Sequence, residues 1–175
     1  MSFFPKTALK GGKMLESKYL TDNVQNIQKL MVIPALRKFE TKNLGKLLRL
    51  SKIRQYEDGE MIIKEGDLDK WLYFLLSGRI RVIKGGVELS AIDKMGEMFG
   101  EMRLIDSLSR SASIFAVGST VCLAVDTSAA GKRGFEDERA DFLLLLYRMF
   151  AEFASYRLRL TNDELIKLKK ELKGR

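Results

Sequence analysis

Apolar residues follow two different rhythms along this chain. Over residues 14–53 they recur at Val24, Ile27, Leu30 and Met31, then at Leu36, Phe39, Leu44, Leu47 and Leu48, with Pro34 interrupting the run. That alternation of threes and fours predicts helices across the segment, broken at the proline. Over residues 54–127 the apolar runs shorten and are separated by glycines and acidic turns. Met61-Ile62-Ile63 stops before Gly66-Asp67, and Trp71–Leu76 stops before Ser77-Gly78. Ile80 and Val82 then alternate with Arg79 and Arg81 as far as Gly85-Gly86. Paired glycines between such runs predict a hairpin, because glycine takes positive φ at no steric cost. Ala112–Val117 and Val121–Val125 read as another strand pair, joined by Gly118-Ser119-Thr120. Short strands at this spacing predict a small β-barrel, sandwich or roll.

The helical rhythm returns over residues 135–173. Acidic Glu136, Asp137, Glu138 and Asp141 open the segment, and Lys167, Lys169, Lys170 and Lys173 close it, as the helix macrodipole favours. Two apolar stripes run along it. One is Phe142, Leu146, Met149, Phe153, Tyr156 and Leu160; the other is Leu144, Tyr147, Ala151, Ala154, Leu158, Thr161, Leu165, Leu168 and Leu172. The second keeps its step for about four heptads, the mark of a two-stranded seam. A helix apolar on two sides needs cover on two sides. Its own β-unit on one side and a second copy of the helix on the other satisfy that need, so a homodimer through this helix is expected. The N-terminal helical segment is the alternative cover.

Composition narrows the chemistry. The chain has 175 residues, a formal charge of +8 and no histidine. Without histidine it lacks the commonest general base and metal ligand. The single cysteine, Cys122, lies in the apolar run Val121–Val125 and reads as a buried core thiol. Neither a zinc site nor catalysis is expected. The excess positive charge is in the flanks: residues 1–56 carry 12 Lys and Arg against 3 Asp and Glu, whereas residues 57–130 carry 8 against 12. Basic flanks suit an anionic surface, but aromatics do not interleave with the cations as base stacking requires. The N-terminus lacks the pattern of a secretory signal, and the longest apolar run, Phe142–Tyr147, is too short to cross a bilayer. A cytoplasmic protein without membrane attachment is expected, with the first dozen residues disordered.

The stretch that promises chemistry is Phe99-Gly100-Glu101-Met102-Arg103-Leu104, continuing to Ser109-Arg110-Ser111-Ala112-Ser113. Glycine lets a backbone approach a ligand closely, and amides opening a short helix favour an anion. An arginine fork matches phosphate oxygens two at a time. Glu101 repels a phosphate but can accept from a ribose hydroxyl. Together these groups describe a sugar phosphate.

The same residues resemble the cyclic-nucleotide-binding domain family, which includes the catabolite activator protein, protein kinase A regulatory subunits and cyclic-nucleotide-gated channels. The family's phosphate cassette reads F-G-E-[LIM]-A-L, about five residues, then R-[AST]-A. Phe99-Gly100-Glu101-Met102, Leu104 and Arg110-Ser111-Ala112 fit it without a gap. The turn set Tyr56–Glu60, Gly66-Asp67, Ser77-Gly78 and Gly96 is also similar, so the likeness spans about residues 35–165. It implies an α+β fold: an antiparallel β-roll, of the double-stranded β-helix or jelly-roll kind, flanked by N-terminal helices and a long C-terminal helix. The boundaries expected are 1–34 for a basic helical extension, 35–134 for the roll and 135–175 for a lid and dimerisation helix.

The resemblance also implies roles. Arg110 pairs with the cyclic phosphate, Glu101 accepts from the ribose 2′-hydroxyl, and Gly100 with the amides of Met102 to Leu104 lines the phosphate. Ser111, followed by the motif's Ala112, adds a hydroxyl contact to phosphate or base, without deciding between cAMP and cGMP. Thr161 and Asn162 take the base-contact position on the long helix. Arg103 stands where relatives have a small residue; it either adds a second cation or swings outward. Ser109 replaces a frequent proline and loosens the loop. Only 13 residues follow Asn162, too few for a DNA-reading domain, so DNA binding is not expected. The function expected is a stand-alone cyclic-nucleotide sensor acting on a dimer mate or a separate effector. The alternative is a dimeric scaffold of the same fold that binds no nucleotide.

Overall fold

In the computed structural model the described residues are 14–31, 33, 36, 37, 40–102, 108–128 and 139–173. They form seven strands and three helices in two compact units, divided between residues 137 and 138. The first unit is an antiparallel sheet wrapped into a roll, as its sequence pattern predicts.

Its strands are β1 (Leu15–Glu16), β2 (Ser51–Tyr56), β3 (Met61–Ile63), β4 (Trp71–Lys84), β5 (Val87–Ile92), β6 (Met98–Phe99) and β7 (Ser113–Asp126). The order is β1-β2-β7-β4-β5, with β3 also on β7 and β6 also on β4. Helices α1 (Val24–Met31) and α2 (Thr41–Arg49) precede β2. Asn23 caps α1 by accepting from the Asn26 amide at 2.8 Å. In α2, Leu44, Leu47 and Leu48 are buried, and the helix packs against α1 and β2.

Two expectations about strands need correction. Trp71–Leu76 and Arg79–Val82 are not separate strands but one continuous β4, and Ala112–Val117 with Val121–Val125 is one continuous β7. The glycines that suggested turns are bends inside these strands. Gly78 and Gly118 have φ of 91° and 66°, and the β4–β7 register shifts between Leu75, Ser77 and Arg79. An irregularity of this kind curves a long strand without ending it, which closes a sheet into a roll. The helical rhythm assigned to residues 14–53 also fails at both ends. Leu15 and Glu16 pair with Gln55 and Arg54, and Ser51–Tyr56 is already strand β2. A run this short cannot be assigned by periodicity alone.

Strand β7 gathers the core. Tyr73, Leu75, Ile80, Phe99, Ala116, Cys122 and Ala124 form a continuous buried cluster with Tyr56, Ile63, Ile92 and Ile114. Leu72, Phe74, Leu123 and Val125, pointing the other way, are buried too, so this part of the sheet is covered on both faces. The Cys122 thiol is buried as expected, and burial pushes it up to about 12.

The second unit is α3 (Arg139–Lys173), a single helix. Leu146, Met149 and Phe150 are buried, while Leu144, Tyr147, Leu158, Leu165, Leu168 and Leu172 are exposed. Among the described residues no helix is long and apolar enough to cross a membrane. The expected acidic start at Glu136–Glu138 and the first dozen residues lie outside the described residues.

Candidate functional site

The cassette begins where β6 ends. Tyr73 on β4 pairs with Phe99, and their rings stack at 5.1 Å with planes 7° apart. Next comes Gly100 with φ of 80°. A Cβ here would come within 2.8 Å of Arg110 Nη1 and 3.3 Å of the Trp71 carbonyl oxygen. Glycine is therefore needed twice, for the left-handed backbone and for the close approach of the guanidinium.

Arg110 is 4% exposed and sits before β7. A buried guanidinium requires acceptors, and the roll supplies them. Nε and Nη2 donate to the two Asp69 carboxylate oxygens at 3.0 and 2.6 Å, a two-point fork. Nη1 donates to the Gly100 carbonyl at 2.5 Å, and Nη2 also donates to the Trp71 carbonyl. Burial works to raise the Asp69 carboxyl, but the hydrogen bonds and charge of Arg110 outweigh it and hold the group below the usual carboxylate range. The backbone is anchored as well: the Arg110 amide donates to Asp67 O, and the Gly66 amide donates to Arg110 O, both at 2.9 Å. The Gly66-Asp67 turn and the arginine are thus one construction.

Around this fork the structure gathers most of the expected residues. Glu101 is buried beside Gly100, and Met102 is exposed. Ser111 Oγ donates to Met102 Sδ at 3.4 Å, closing the two ends of the cassette on each other. Ala112 is half-buried next to the start of β7. Arg103 and Leu104 lie outside the described residues. Thr161 and Asn162 are exposed on α3, in the other unit. Among the described residues no group of three or more His, Cys, Asp or Glu could hold a metal.

Sequence reasoning missed Asp69 and Trp71. Asp69 stood in a turn-like run, Gly66-Asp67-Leu68-Asp69, and its partner is 41 positions away. A second acidic residue flanking an apolar run was the available signal.

Comparison with known proteins finds the family profile "Cyclic nucleotide-binding domain" matched over residues 53–132. A cAMP-dependent protein kinase type II regulatory subunit of Drosophila melanogaster is 34% identical over 123 residues, 68% of this chain and 29% of that protein. The Cyclic AMP receptor protein of Thermus thermophilus is 38% identical over 100 residues, 55% of this chain and 41% of its own length. The chain thus spans well under half of either relative. Among solved structures, a cyclic nucleotide-binding domain from Methylobacillus flagellatus superposes with a TM-score of 0.69 at 18% identity, covering 87% of this chain and 88% of that one. At that identity the likeness speaks for the fold.

Proposed function

We propose, from the premise that this chain carries a cyclic nucleotide-binding domain and by that domain belongs to the family, that it is a regulatory sensor for cAMP or cGMP rather than a catalyst. The phosphate goes to Arg110 and the amides after Gly100, and the ribose 2′-hydroxyl to Glu101. The observation that carries this reading is the buried arginine held in a carboxylate fork beside a left-handed glycine. A guanidinium has five N–H donors, and four here have acceptors within the roll. The fifth, on Nη1, is the one left for a phosphate oxygen. A ligand that takes a second donor must draw Arg110 from one of its present acceptors, so occupancy and cassette geometry change together. A ligand shifts such an equilibrium only by its difference in affinity for the two arrangements. The exposed α3 stripe then offers the output surface, to a second copy or a separate effector.

Titration calorimetry with cAMP and with cGMP tests the reading. The intact chain is expected to bind at least one of them, and Arg110→Ala to abolish the heat. Affinity weaker than about 1 mM for both, only ~4 kcal/mol of binding free energy, would instead make the domain a scaffold that binds no nucleotide. That four of the five Arg110 donors already meet the chain's own acceptors is what favours that second reading.

A further inference from the structure

β1 has two residues, too few to hold a strand in place by backbone pairing alone. Its neighbours supply the rest. Glu16 Oε1 takes Lys52 Nζ at 2.5 Å and Oε2 takes Arg54 Nε at 2.6 Å. Burial works to raise the Glu16 carboxyl, but both cations outweigh it and hold it below the usual range. The Ser17 amide donates to Ile53 O, and Ser17 Oγ accepts from the Ile53 amide, both at 2.9 Å. The Leu20 amide donates to Ser51 O.

Arg54 is the pivot between this segment and the cassette. Its guanidinium lies 3.9 Å from the centroid of the Trp71 ring, and its Nη1 donates to Tyr73 Oη at 2.8 Å. Trp71 therefore carries Arg54 on its ring and Arg110 on its carbonyl. Tyr73 stacks on Phe99, the residue before Gly100, whose carbonyl is the other backbone acceptor of Arg110. Both carbonyls that aim Arg110 are thus within one residue of a ring whose setting depends on Arg54.

We infer that Leu15–Ser17 is a positioning strap for the phosphate arginine. Through Glu16 and Arg54 it sets Trp71 and Tyr73, and through them the carbonyls of Trp71 and Gly100 that orient Arg110. Strap docking and cyclic-nucleotide binding are coupled, and the coupling acts equally in both directions. This rests on the sensor reading above. Without the Glu16 carboxylate, Arg54 loses the partner that keeps it over the indole, and the aim of Arg110 broadens. The same change removes one negative charge, which would favour a phosphate. That charge faces water in part and is screened, so the loss of orientation sets the sign.

The test uses the full chain, Glu16→Gln and Glu16→Asp, with calorimetry for cAMP and cGMP. It adds thermal midpoints and the emission of Trp71, the chain's only tryptophan. Glu16→Gln is expected to shift Trp71 emission and weaken nucleotide binding about five- to tenfold, with Glu16→Asp recovering part of the loss. In the unmodified chain, nucleotide is expected to slow hydrogen exchange at the Ser17 and Leu20 amides. Unchanged affinity in Glu16→Gln, together with unchanged exchange, overturns the inference even if the midpoint falls, since the strap would then be structural only. If Glu16→Gln does not fold, the exchange measurement decides alone. If the unmodified chain binds neither nucleotide, the sensor reading fails and the strap inference falls with it; binding without coupling sinks the strap alone.

Discussion

The roll and the long helix treat the same kinds of residue in opposite ways. In the roll, apolar side chains such as Phe74 and Leu123 are wholly buried, and even the charged groups Glu101 and Arg110 are shielded from water. On α3, Leu158 and Leu172 are 61% and 72% exposed. The roll gathers most of its large apolar groups inward and pairs Arg110 with its own acceptors. The helix still displays a heptad-spaced seam that water solvates poorly. One region is closed around its own core, and the other leaves an apolar face open. Truncations in the two should separate cleanly.

The largest effect is expected in the roll. Phe74→Ala removes a fully buried ring, and urea unfolding should show a loss of about 3–5 kcal/mol. Gly100→Ala comes next. A Cβ at φ of 80°, 2.8 Å from Arg110 Nη1, should cost about 2 kcal/mol by the same measurement and weaken nucleotide binding. Asp69→Asn should cost about 1 kcal/mol near neutral pH, since the carboxylate side chain is one-third exposed. Its signature is in the pH dependence. The folded carboxyl lies below its usual value of 3.8, so its contribution is complete above that value and disappears as pH falls through the folded one. Midpoints measured from pH 7 down to 3 should show the gap between wild type and Asp69→Asn closing on the acid side. The smallest effect is predicted on the helix. Leu158→Ala should change unfolding of the dilute chain by under about 0.5 kcal/mol; if the proposed output surface pairs with a second copy, it should also lower the dimer fraction in sedimentation at high concentration. A Leu158 effect as large as that of Phe74 in dilute solution would erase the contrast.

What could be read from the sequence follows the same division. Gly100, Glu101 and Arg110 could be picked out because the motif that marks them lies within a dozen positions. Asp69 could not, because its role exists only once β4 and β7 have brought distant segments together. Gly78 and Gly118 marked places where the chain changes course, but the sequence does not say whether such a glycine ends a strand or bends it. Pairing partners on β7 decide that. Leu15–Glu16 was hidden for a related reason: two residues carry no period, and only the edge of β2 makes them a strand. The α3 stripes were visible because a helix carries its pattern within itself.

The position of β7 in the chain has a consequence for how the molecule comes into being. β2, β3 and β4 all hydrogen-bond to it, yet among the described strands it is the last to leave the ribosome. Until residues 113–126 emerge, the earlier strands wait with open edges and uncovered apolar faces, their described pairings limited to β1–β2, β4–β5 and β4–β6. The nascent chain is then at its most vulnerable to chaperone capture and to pairing with its neighbours. A stop placed before β7 should leave an insoluble fragment rather than a smaller roll.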